Sequence, residues 1–331
     1  MEKRKKGWGK KMRKWQVTGL VFAVLVAFST IPAMGQDFPK GPINYMNPFN
    51  PGGEVDIAAR AMQPHLEKNL GVPFVINYLP GAGGGLCWSK LAAVKPDGYN
   101  IGGFSIPHII LQPMFMKDVT FKTEDFVIFS IVEYTPIGLG VKKDFKANTF
   151  MEFIDYCKAN PGKVSCGGVG KFTGHHFATL QFMKLAGVKV NYVTFTGTSQ
   201  VQTALLGGHI DAAFTNSSVL TTSKDQIKVL AIGSPKRMVQ LPDIPTFDEL
   251  GYKMYPRIAR GAMGPKAIPK DIQKRLEKAF LDTTSKPEFI AKMEQAGFVP
   301  QVMGIEESHK YLDTEVKEHV KLAQEFDLKK Q

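Results

Sequence analysis

The sequence predicts an α/β protein made of two lobes, and three observations support this fold class. The chain has 331 residues, which exceeds one ordinary domain and suits two of moderate size. Short apolar runs alternate with helical segments, which is the pattern of βαβ units around a parallel sheet. Four strands in turn lead through a loop rich in glycine or hydroxyl residues into a helix. We therefore expect binding loops at the carboxyl edges of the sheets.

Composition places the chain among globular proteins, with 44% hydrophobic and 22% charged residues. The net charge of +12 is concentrated at the start of the chain. The first 35 residues carry eight Lys and Arg residues against Glu2 alone, which leaves +5 for the rest. Nucleic-acid binding is not expected, because it would require basic residues gathered on one face with base-stacking aromatics.

The first 35 residues have the organisation of a secretory signal peptide. Their basic start is followed by an apolar core over residues 17–28 and by the small residues Ala33 and Gly35, so cleavage is expected before Gln36. An uncleaved membrane anchor is the alternative, although the apolar core is shorter than the roughly 20 residues of a membrane span. We expect a soluble, exported protein that starts near Gln36.

The first glycine loop follows a strand predicted over residues 43–46 and leads into a helix predicted over residues 55–70. Its two adjacent glycines leave backbone N–H groups uncovered at the positive end of the helix dipole, so the loop can hold an anion without a cationic side chain. An ordinary turn capped by a carboxylate is the alternative. The candidate ligand-binding residues of this loop are Phe49, Asn50, Gly52, Gly53 and Asp56.

The second loop follows a strand predicted over residues 74–76 and places four glycines within five residues, just before a helix predicted over residues 86–94. Gly83 and Gly84 are its candidate ligand-binding residues. Ser105 ends the next strand and is a candidate side-chain donor to the same cleft; a helix cap is the alternative for this serine.

The chain is predicted to cross into the second lobe near Pro136, between two apolar runs, and to return with residues 257–263. These crossings assign residues 36–136 and 257–331 to the first lobe and residues 137–256 to the second.

The third loop precedes an amphipathic helix that begins after His176, and it contains the candidate residues Gly168, Gly170 and His175. A nucleotide loop is excluded, because Ser165 stands at the first glycine position of a P-loop and Phe172 at its final Ser or Thr position. His175 can donate to a bound anion; a capping or core histidine is the alternative.

The fourth loop ends a strand predicted over residues 188–195 and precedes a helix predicted over residues 201–206. Its candidate residues, Thr196, Gly197 and Thr198, add hydroxyl donors. Asp211 follows this helix and starts a short strand. It can bind a ligand amine or hydroxyl, or it can orient backbone donors.

The remaining features carry no chemistry that we can assign. Residues 269–328 are predicted to form three helices with solvated faces, broken near Pro287 and Gly304. Cys157 and Cys166 could form a disulfide, or they and Cys87 could be isolated buried thiols. The sequence has no GxSxG, SxxK or metal-ligand motif, so no cofactor or metal is expected.

An ordered set of motifs resembles a known family. The set comprises Pro48-Phe49-x-Pro51-Gly52-Gly53-x-x-Asp56-x-x-x-Arg60, Asn77-x-x-Pro80-Gly81-Ala82-Gly83-Gly84, Pro96-Asp97-Gly98-Tyr99, Gly168-x-Gly170 with His175, Gly197, Leu206-x-Gly208-x-x-Asp211 and Leu241-Pro242-Asp243-x-Pro245-Thr246. It spans almost the whole mature chain and is similar to the substrate-binding receptors of tripartite tricarboxylate transporters, the TctC or Bug receptors.

The resemblance implies a periplasmic binding protein fold, type II-like, with two α/β lobes, a two-strand hinge and a ligand cleft between the lobes. It implies a monomeric, non-enzymatic receptor that holds a tricarboxylate, a dicarboxylate or a related organic acid through loop backbone groups and ordered water. The implied partners are a large and a small integral-membrane transporter subunit. A periplasmic sensor is one alternative, and an exported enzyme that uses Asp56 and Asp211 as an acid/base pair is another.

The chain departs from the family pattern beside the expected distal end of the ligand. Thr194-Phe195-Thr196-Gly197 stands where the family usually shows Pro-Tyr-Lys-Gly, and Lys171 stands where small hydroxyl residues are common. The identity of the ligand therefore does not follow from the resemblance.

Overall fold

The computed structural model describes residues 38–326 and residue 328. The signal peptide, its cleavage site and the alternative membrane anchor lie outside the described residues. From Pro39 onward the described residues belong to one compact unit. Among the helices of this part of the chain, none is long and apolar enough to cross a membrane.

The described residues contain strands and α-helices in alternation, which confirms the α/β class. The strands are Ile43–Asn47 (β1), Phe74–Tyr78 (β2), Asn100–Ile106 (β3), Phe126–Lys142 (β4), Ser165–Val169 (β5), Asn191–Phe195 (β6), Ala212–Asn216 (β7), Ile227–Ile232 (β8), Arg257–Pro265 (β9) and Val299–Met303 (β10). The α-helices are Glu54–Leu70 (α1), Gly85–Ala92 (α2), His108–Phe115 (α3), Phe150–Ala159 (α4), Gly174–Ala186 (α5), Thr198–Leu206 (α6), Ser217–Ser223 (α7), Lys270–Thr284 (α8), Pro287–Gln295 (α9) and Ile305–Glu325 (α10).

The strands form one continuous sheet with two halves. In the first sheet half the order is β2-β1-β3-β9-β4, and β10 also pairs with β4. In the second sheet half the order is β4-β7-β5-β6, and β8 also pairs with β4. β1 runs parallel to β2 and β3, and β5 runs parallel to β6 and β7. The parallel strands of each half therefore send their loops to the carboxyl edge of that half.

The long strand β4 joins the two sheet halves. Its residues 126–136 pair with β9, whereas residues 137–142 pair with β7 and β8. The predicted break within this segment is wrong: the strand is continuous over 17 residues, and only its pairing partner changes after Pro136. The second connection between the halves enters β9 at Arg257, beside the hydrogen bond from Ile137 N to Pro256 O of 2.7 Å. The division into lobes at these positions stays a prediction.

Three elements were missed by the sequence patterns. Helix α3 is buried along most of its length and contains Pro113, so it shows no amphipathic period. Helix α7 has the sequence SSVLTTS, whose hydroxyl residues favour turns and caps. The C-terminal region, predicted to be all helical, contains strand β10, whose Pro300 disguises it.

The second sheet half has an aromatic core. Phe150, Phe182, Phe214 and Phe247 are buried, and their rings pack in tilted, stacked and edge-to-face contacts. The three cysteines, Cys87, Cys157 and Cys166, are free and buried. The alternative of a disulfide is therefore wrong for this structure, and burial raises the pKa of the Cys157 thiol to about 12.

Candidate functional site

The four predicted loops meet where the two sheet halves face each other. Asn50 Nδ2 in the first loop donates to Thr196 Oγ1 in the fourth at 3.1 Å. In the other pair of loops, a methyl group added to Gly170 would lie only 3.1 Å from the Cα atom of Gly83. The loops thus touch across the cleft between the halves.

A small cavity lies in this cleft, with an empty volume of about 260 Å³. This figure includes space that is open to solvent, so it is an upper bound on the room that the closed cleft offers a ligand. Five predicted site residues line it: Phe49, Gly53, Ser105, His175 and Thr198. Four lining residues were not predicted: Glu54, His108, Val169 and Arg260.

Several buried polar atoms around the cavity have no hydrogen-bond partner among the described residues. They are Ser105 Oγ, His108 Nδ1 and both ring nitrogens of His175; the Asn216 amide, whose Nδ2 also lacks a partner, lies near enough to His175 to affect its pKa. Buried polar atoms are almost always paired in native proteins, and a group left unpaired costs about 1–3 kcal/mol. Four such atoms on three side chains that line one cavity indicate a place where a polar ligand or ordered water binds.

The two histidines are neutral at physiological pH. Burial lowers the pKa of His175 to about 4, with Arg260 adding to this effect and Glu54 opposing it. Burial likewise holds the pKa of His108 well below its usual range. A neutral imidazole has one N–H donor and one acceptor nitrogen, so each ring can donate one hydrogen bond to a ligand oxygen.

Arg260 is the buried cation of the cavity. Its Nη1 donates to Glu133 Oε1 at 3.2 Å and to Thr135 Oγ1 at 2.6 Å, and its Nη2 lies 3.9 Å from Glu54 Oε2. Burial raises the pKa of Glu133 to about 7, with Arg260 opposing the shift and Glu54 adding to it.

Glu54 is the second charged group that lines the cavity. Burial alone would raise its pKa, but Arg260 and hydrogen bonds from Ser218 and Thr198 outweigh burial and lower it. The carboxylate is therefore ionised at neutral pH, and the cavity contains a buried pair of opposite charges.

In the first loop, the chain itself supplies a hydrogen-bond acceptor for one of the glycine N–H groups. The N–H of Gly52 donates to Asp56 Oδ2 at 2.9 Å, and Asp56 also accepts from Arg60 and from the Tyr78 hydroxyl at 2.6 Å. The prediction that the Gly52 N–H is uncovered is therefore wrong, and Asp56 caps the turn instead of lining the cavity. Gly53 does line the cavity and is the N-cap residue of α1.

Two of the predicted glycines are required by the packing of their own loops. Gly84 has φ of +100°, and a Cβ atom there would lie 2.5 Å from the Trp88 ring. A Cβ atom at Gly168 would collide with the Tyr192 hydroxyl. Gly197 is the N-cap residue of α6, and a Cβ atom there would lie 3.9 Å from Asn50. The helix cap in the third loop is Thr173, so His175 faces the cavity and does not cap a helix.

Asp211 lies apart from these loops. It accepts hydrogen bonds from Ser165 N at 3.0 Å and Ser165 Oγ at 2.8 Å, and it forms an ion pair with Lys142 at 3.0 Å. Ser165 begins β5, whereas Gly170 follows the other end of that strand, about 16 Å away at the usual rise per residue. The structure thus separates Asp211 from the cleft and favours the alternative in which it orients backbone donors.

The residues that sequence reasoning missed had weak signals. Arg260 lies in the apolar part of β9, whose first residue is another arginine, Arg257, and Glu54 follows the paired glycines at a helix start. His108 lies in the unpredicted helix α3. Among the described residues, no group of three or more His, Cys, Asp or Glu side chains could hold a metal ion.

Comparisons with known proteins identify the family. The sequence profile of the tripartite tricarboxylate transporter family receptor matches residues 58–328. A protein of Cupriavidus necator, "UPF0065 protein in gbd 5'region", is 28% identical over 309 residues, which cover 92% of this chain and 94% of the relative. Protein BugT of Bordetella pertussis is 30% identical over 239 residues, which cover 70% of this chain and 73% of BugT.

A solved structure agrees with the sequence relatives. The periplasmic binding protein BugD is 27% identical to this chain and has a TM-score of 0.84, with 89% of this chain and 100% of BugD covered. The two-lobed binding-protein fold implied by the sequence motifs is thereby confirmed. Because the profile match covers most of the sequence, the chain belongs to the tripartite tricarboxylate transporter receptor family.

Proposed function

We propose that the protein is an extracytoplasmic solute-binding receptor that captures a small carboxylated metabolite and delivers it to a tripartite tricarboxylate-type membrane transporter. The observation that carries this proposal is the set of partnerless polar atoms on Ser105, His108 and His175 around one cavity. A ligand carboxylate accepts hydrogen bonds, so it supplies the acceptor that the serine hydroxyl and a neutral imidazole N–H lack.

Binding in this proposal uses side chains and helix starts together. Ser105, His108 and His175 donate to the ligand, and Arg260 adds a charge-assisted donor. The starts of α5 and α6 face the same cleft and add the positive ends of two helix dipoles, whereas Glu54 stands at the start of α1. Phe49, Gly53 and Thr198 line the cavity, whereas Asn50, Gly83, Gly170, Thr196 and Gly197 form the contacts between its two sides.

Ligand entry requires the two sheet halves to separate. The loops touch across the cavity, and the two connections between the halves pass through Pro136 in β4 and Pro256 before β9. We propose that these connections act as a two-strand hinge between residues 137–256 and the remainder of the mature chain. The closed halves then present a combined surface to the large and small membrane subunits.

The remaining parts of the proposal concern location and state. A leader cleaved near Gln36 would release the mature protein into the periplasm, where we expect it to act as a monomer. We infer no catalytic step.

A ligand screen tests the receptor proposal directly. Citrate, dicarboxylates, aromatic acids and amino acids are added to the purified mature protein, and the melting temperature Tm is recorded. A ligand at about 100 times its Kd adds about 2.7 kcal/mol to the free energy of unfolding, which gives a clear rise in Tm.

A variant pair shows whether the rise comes from the proposed cavity. Ser105→Ala removes one partnerless donor and should weaken binding, whereas Ser285→Ala, at the end of α8, removes a hydroxyl far from the cleft and should not. A screen in which no acid raises Tm, or a ligand that is chemically converted, would contradict the proposal.

A further inference from the structure

Glu54 is a carboxylate of the protein itself at the start of α1. In a receptor for simple anions, the ligand would occupy this position. Glu54 is the first residue of α1, it is only 5% exposed, and it lines the cavity. Its carboxylate accepts a hydrogen bond from Ser218 Oγ at 2.8 Å, and it also interacts with Thr198 and with its own backbone N–H.

The anion position at the start of α1 is consequently occupied. The N–H of Gly52 is taken by Asp56, and the N–H of Glu54 faces its own carboxylate. A second carboxylate at this helix start would lose these donors and would lie beside a buried negative charge. A ligand group that contacts Glu54 must instead donate hydrogen bonds, and a cationic group would do so most favourably.

The groups beside Glu54 in the same cavity favour a carboxylate. Every hydrogen bond of Arg260 to a described residue is made by Nη1, whereas Nη2 lies 3.9 Å from Glu54 Oε2, beyond hydrogen-bond length. Nη2 therefore has capacity for a further acceptor. Ser105 Oγ and the ring nitrogens of His108 and His175 line the same cavity without partners.

The charges around the cavity also favour a ligand that carries both a negative and a positive group. The guanidinium of Arg260 already balances the ionised carboxylate of Glu54, and the carboxyl group of Glu133 lies beside the same guanidinium. A dicarboxylate would add two negative charges to this buried cluster without a matching cation. A zwitterion adds no net charge and leaves no buried charge unpaired, which is the condition under which buried ion pairs are tolerated.

We infer that the ligand carries a carboxylate and a positively charged amino group, as amino acids do, and that Glu54 determines specificity by accepting the amino group while Arg260 holds the carboxylate. This inference rests on the proposed receptor function. It narrows the ligand from carboxylates in general to zwitterionic carboxylates.

Matched ligand pairs test the inference by isothermal titration calorimetry. Each amino acid is compared with the acid that lacks only its amino group: aspartate with succinate, glutamate with glutarate, alanine with propionate, and phenylalanine with phenylpropionate. For the pair that binds best, we expect the wild-type protein to bind the amino acid at least about tenfold more tightly, as one charge-assisted hydrogen bond allows.

Two variants separate the role of Glu54 from a general charge effect. Glu54→Gln keeps the shape of the side chain and removes its charge, so it should reduce the amino-acid preference by about tenfold or more. Glu288→Gln removes an exposed carboxylate from the first turn of α9 and should leave the preference unchanged. Circular dichroism of each variant reports whether it is folded.

The outcomes distinguish this inference from the receptor proposal. If the wild-type protein binds the deaminated acids as tightly as the amino acids, the inference is overturned while the receptor proposal stands. An unchanged preference in a folded Glu54→Gln variant would also overturn it. If no acid of either series binds, this inference fails, and the wider screen with citrate and aromatic acids then decides the receptor proposal. If Glu54→Gln does not fold, the wild-type comparison still tests the preference for amino acids.

Discussion

Gly170 offers a sharp test of closure, because it forms the tightest backbone contact that we find between the third loop and the second. Its φ is +57°, in the left-handed region, and a Cβ atom there would lie 3.1 Å from the Cα atom of Gly83 and 3.5 Å from its N atom. An ordinary contact is 3.4 Å or longer. In Gly170→Ala the two loops must therefore move apart by a few tenths of an ångström before the cleft can close.

The magnitude follows from two separate effects. An alanine in the left-handed region costs about 1–2 kcal/mol, whether the cleft is open or closed. The contact with Gly83 adds an overpacking cost of about 1–3 kcal/mol in the closed form alone. Only the second effect opposes ligand binding, and it corresponds to a Kd that is roughly 5- to 150-fold weaker.

Gly187 provides the matched control. It ends α5 with φ of +64°, and a Cβ atom there would meet no atom within 4 Å. Gly187→Ala should therefore lower the free energy of unfolding by about 1–2 kcal/mol and leave Kd unchanged.

Calorimetry with the best ligand of the screen, together with thermal unfolding, compares the two variants. Equal Kd values for Gly170→Ala and Gly187→Ala would refute the reasoning, since closure would then not bring these loops together.

Three further predictions concern the charge cluster, the second sheet half and the cleft edge. Burial raises the pKa of Glu133 from its usual 4.5 to about 7. Between these pH values the native state therefore holds a proton that the unfolded chain has lost. The free energy of unfolding of the wild type, relative to that of Glu133→Gln, should fall by about 3 kcal/mol between pH 4.5 and pH 7 and then level off. Denaturant unfolding of both proteins at several pH values measures this difference in the free energy of unfolding. The buried histidines are present in both proteins, so their contributions cancel. A difference that does not change with pH would contradict the buried, protonated carboxyl. Asp211→Asn should lower Tm by about 2–4 °C, because it weakens hydrogen bonds to Ser165 that contribute about 1 kcal/mol. Kd should not change. A weaker affinity would indicate that Asp211 does contribute to the binding site. Asn50→Ala removes one hydrogen bond across the cleft and should weaken Kd about 2- to 10-fold by calorimetry, with no change expected if the bond is absent in the bound state.

The fold was predictable because its signals are local. Apolar or alternating runs marked β1, β2 and β6, and the glycines that follow them marked the starts of helices. The change of pairing partner after Pro136 fell where the crossing was expected, although β4 does not break there. Helix α3 and strand β10 escaped prediction because burial and pairing across the sheet, which depend on tertiary contacts, override their local preferences.

The candidate site was predictable only in part, for a related reason. Phe49, Gly53, Ser105, His175 and Thr198 follow strands or begin helices, so the topology of a parallel sheet alone brings them to one edge. Glu54 and Arg260 can be recognised as site residues only once folding has buried them against each other, because they are 206 positions apart in the chain.

Two carboxylates among the candidate residues illustrate the same point. Asp56 is a candidate ligand-binding residue, and for Asp211 the sequence leaves open whether it binds the ligand or orients backbone donors. In the structure, each accepts hydrogen bonds from neighbouring residues, and these bonds fix the backbone around it. Sequence spacing does not reveal which partners a carboxylate finds after folding.

A crystal structure of the mature protein bound to its tightest acid would test most directly whether the cavity between the sheet halves is the ligand site. We expect carboxylate oxygens within about 3.2 Å of Ser105 Oγ, a ring nitrogen of His175 and Arg260 Nη2, with the loops in contact around them. Density for the acid elsewhere on the molecule, with these atoms still lacking partners, would contradict this assignment.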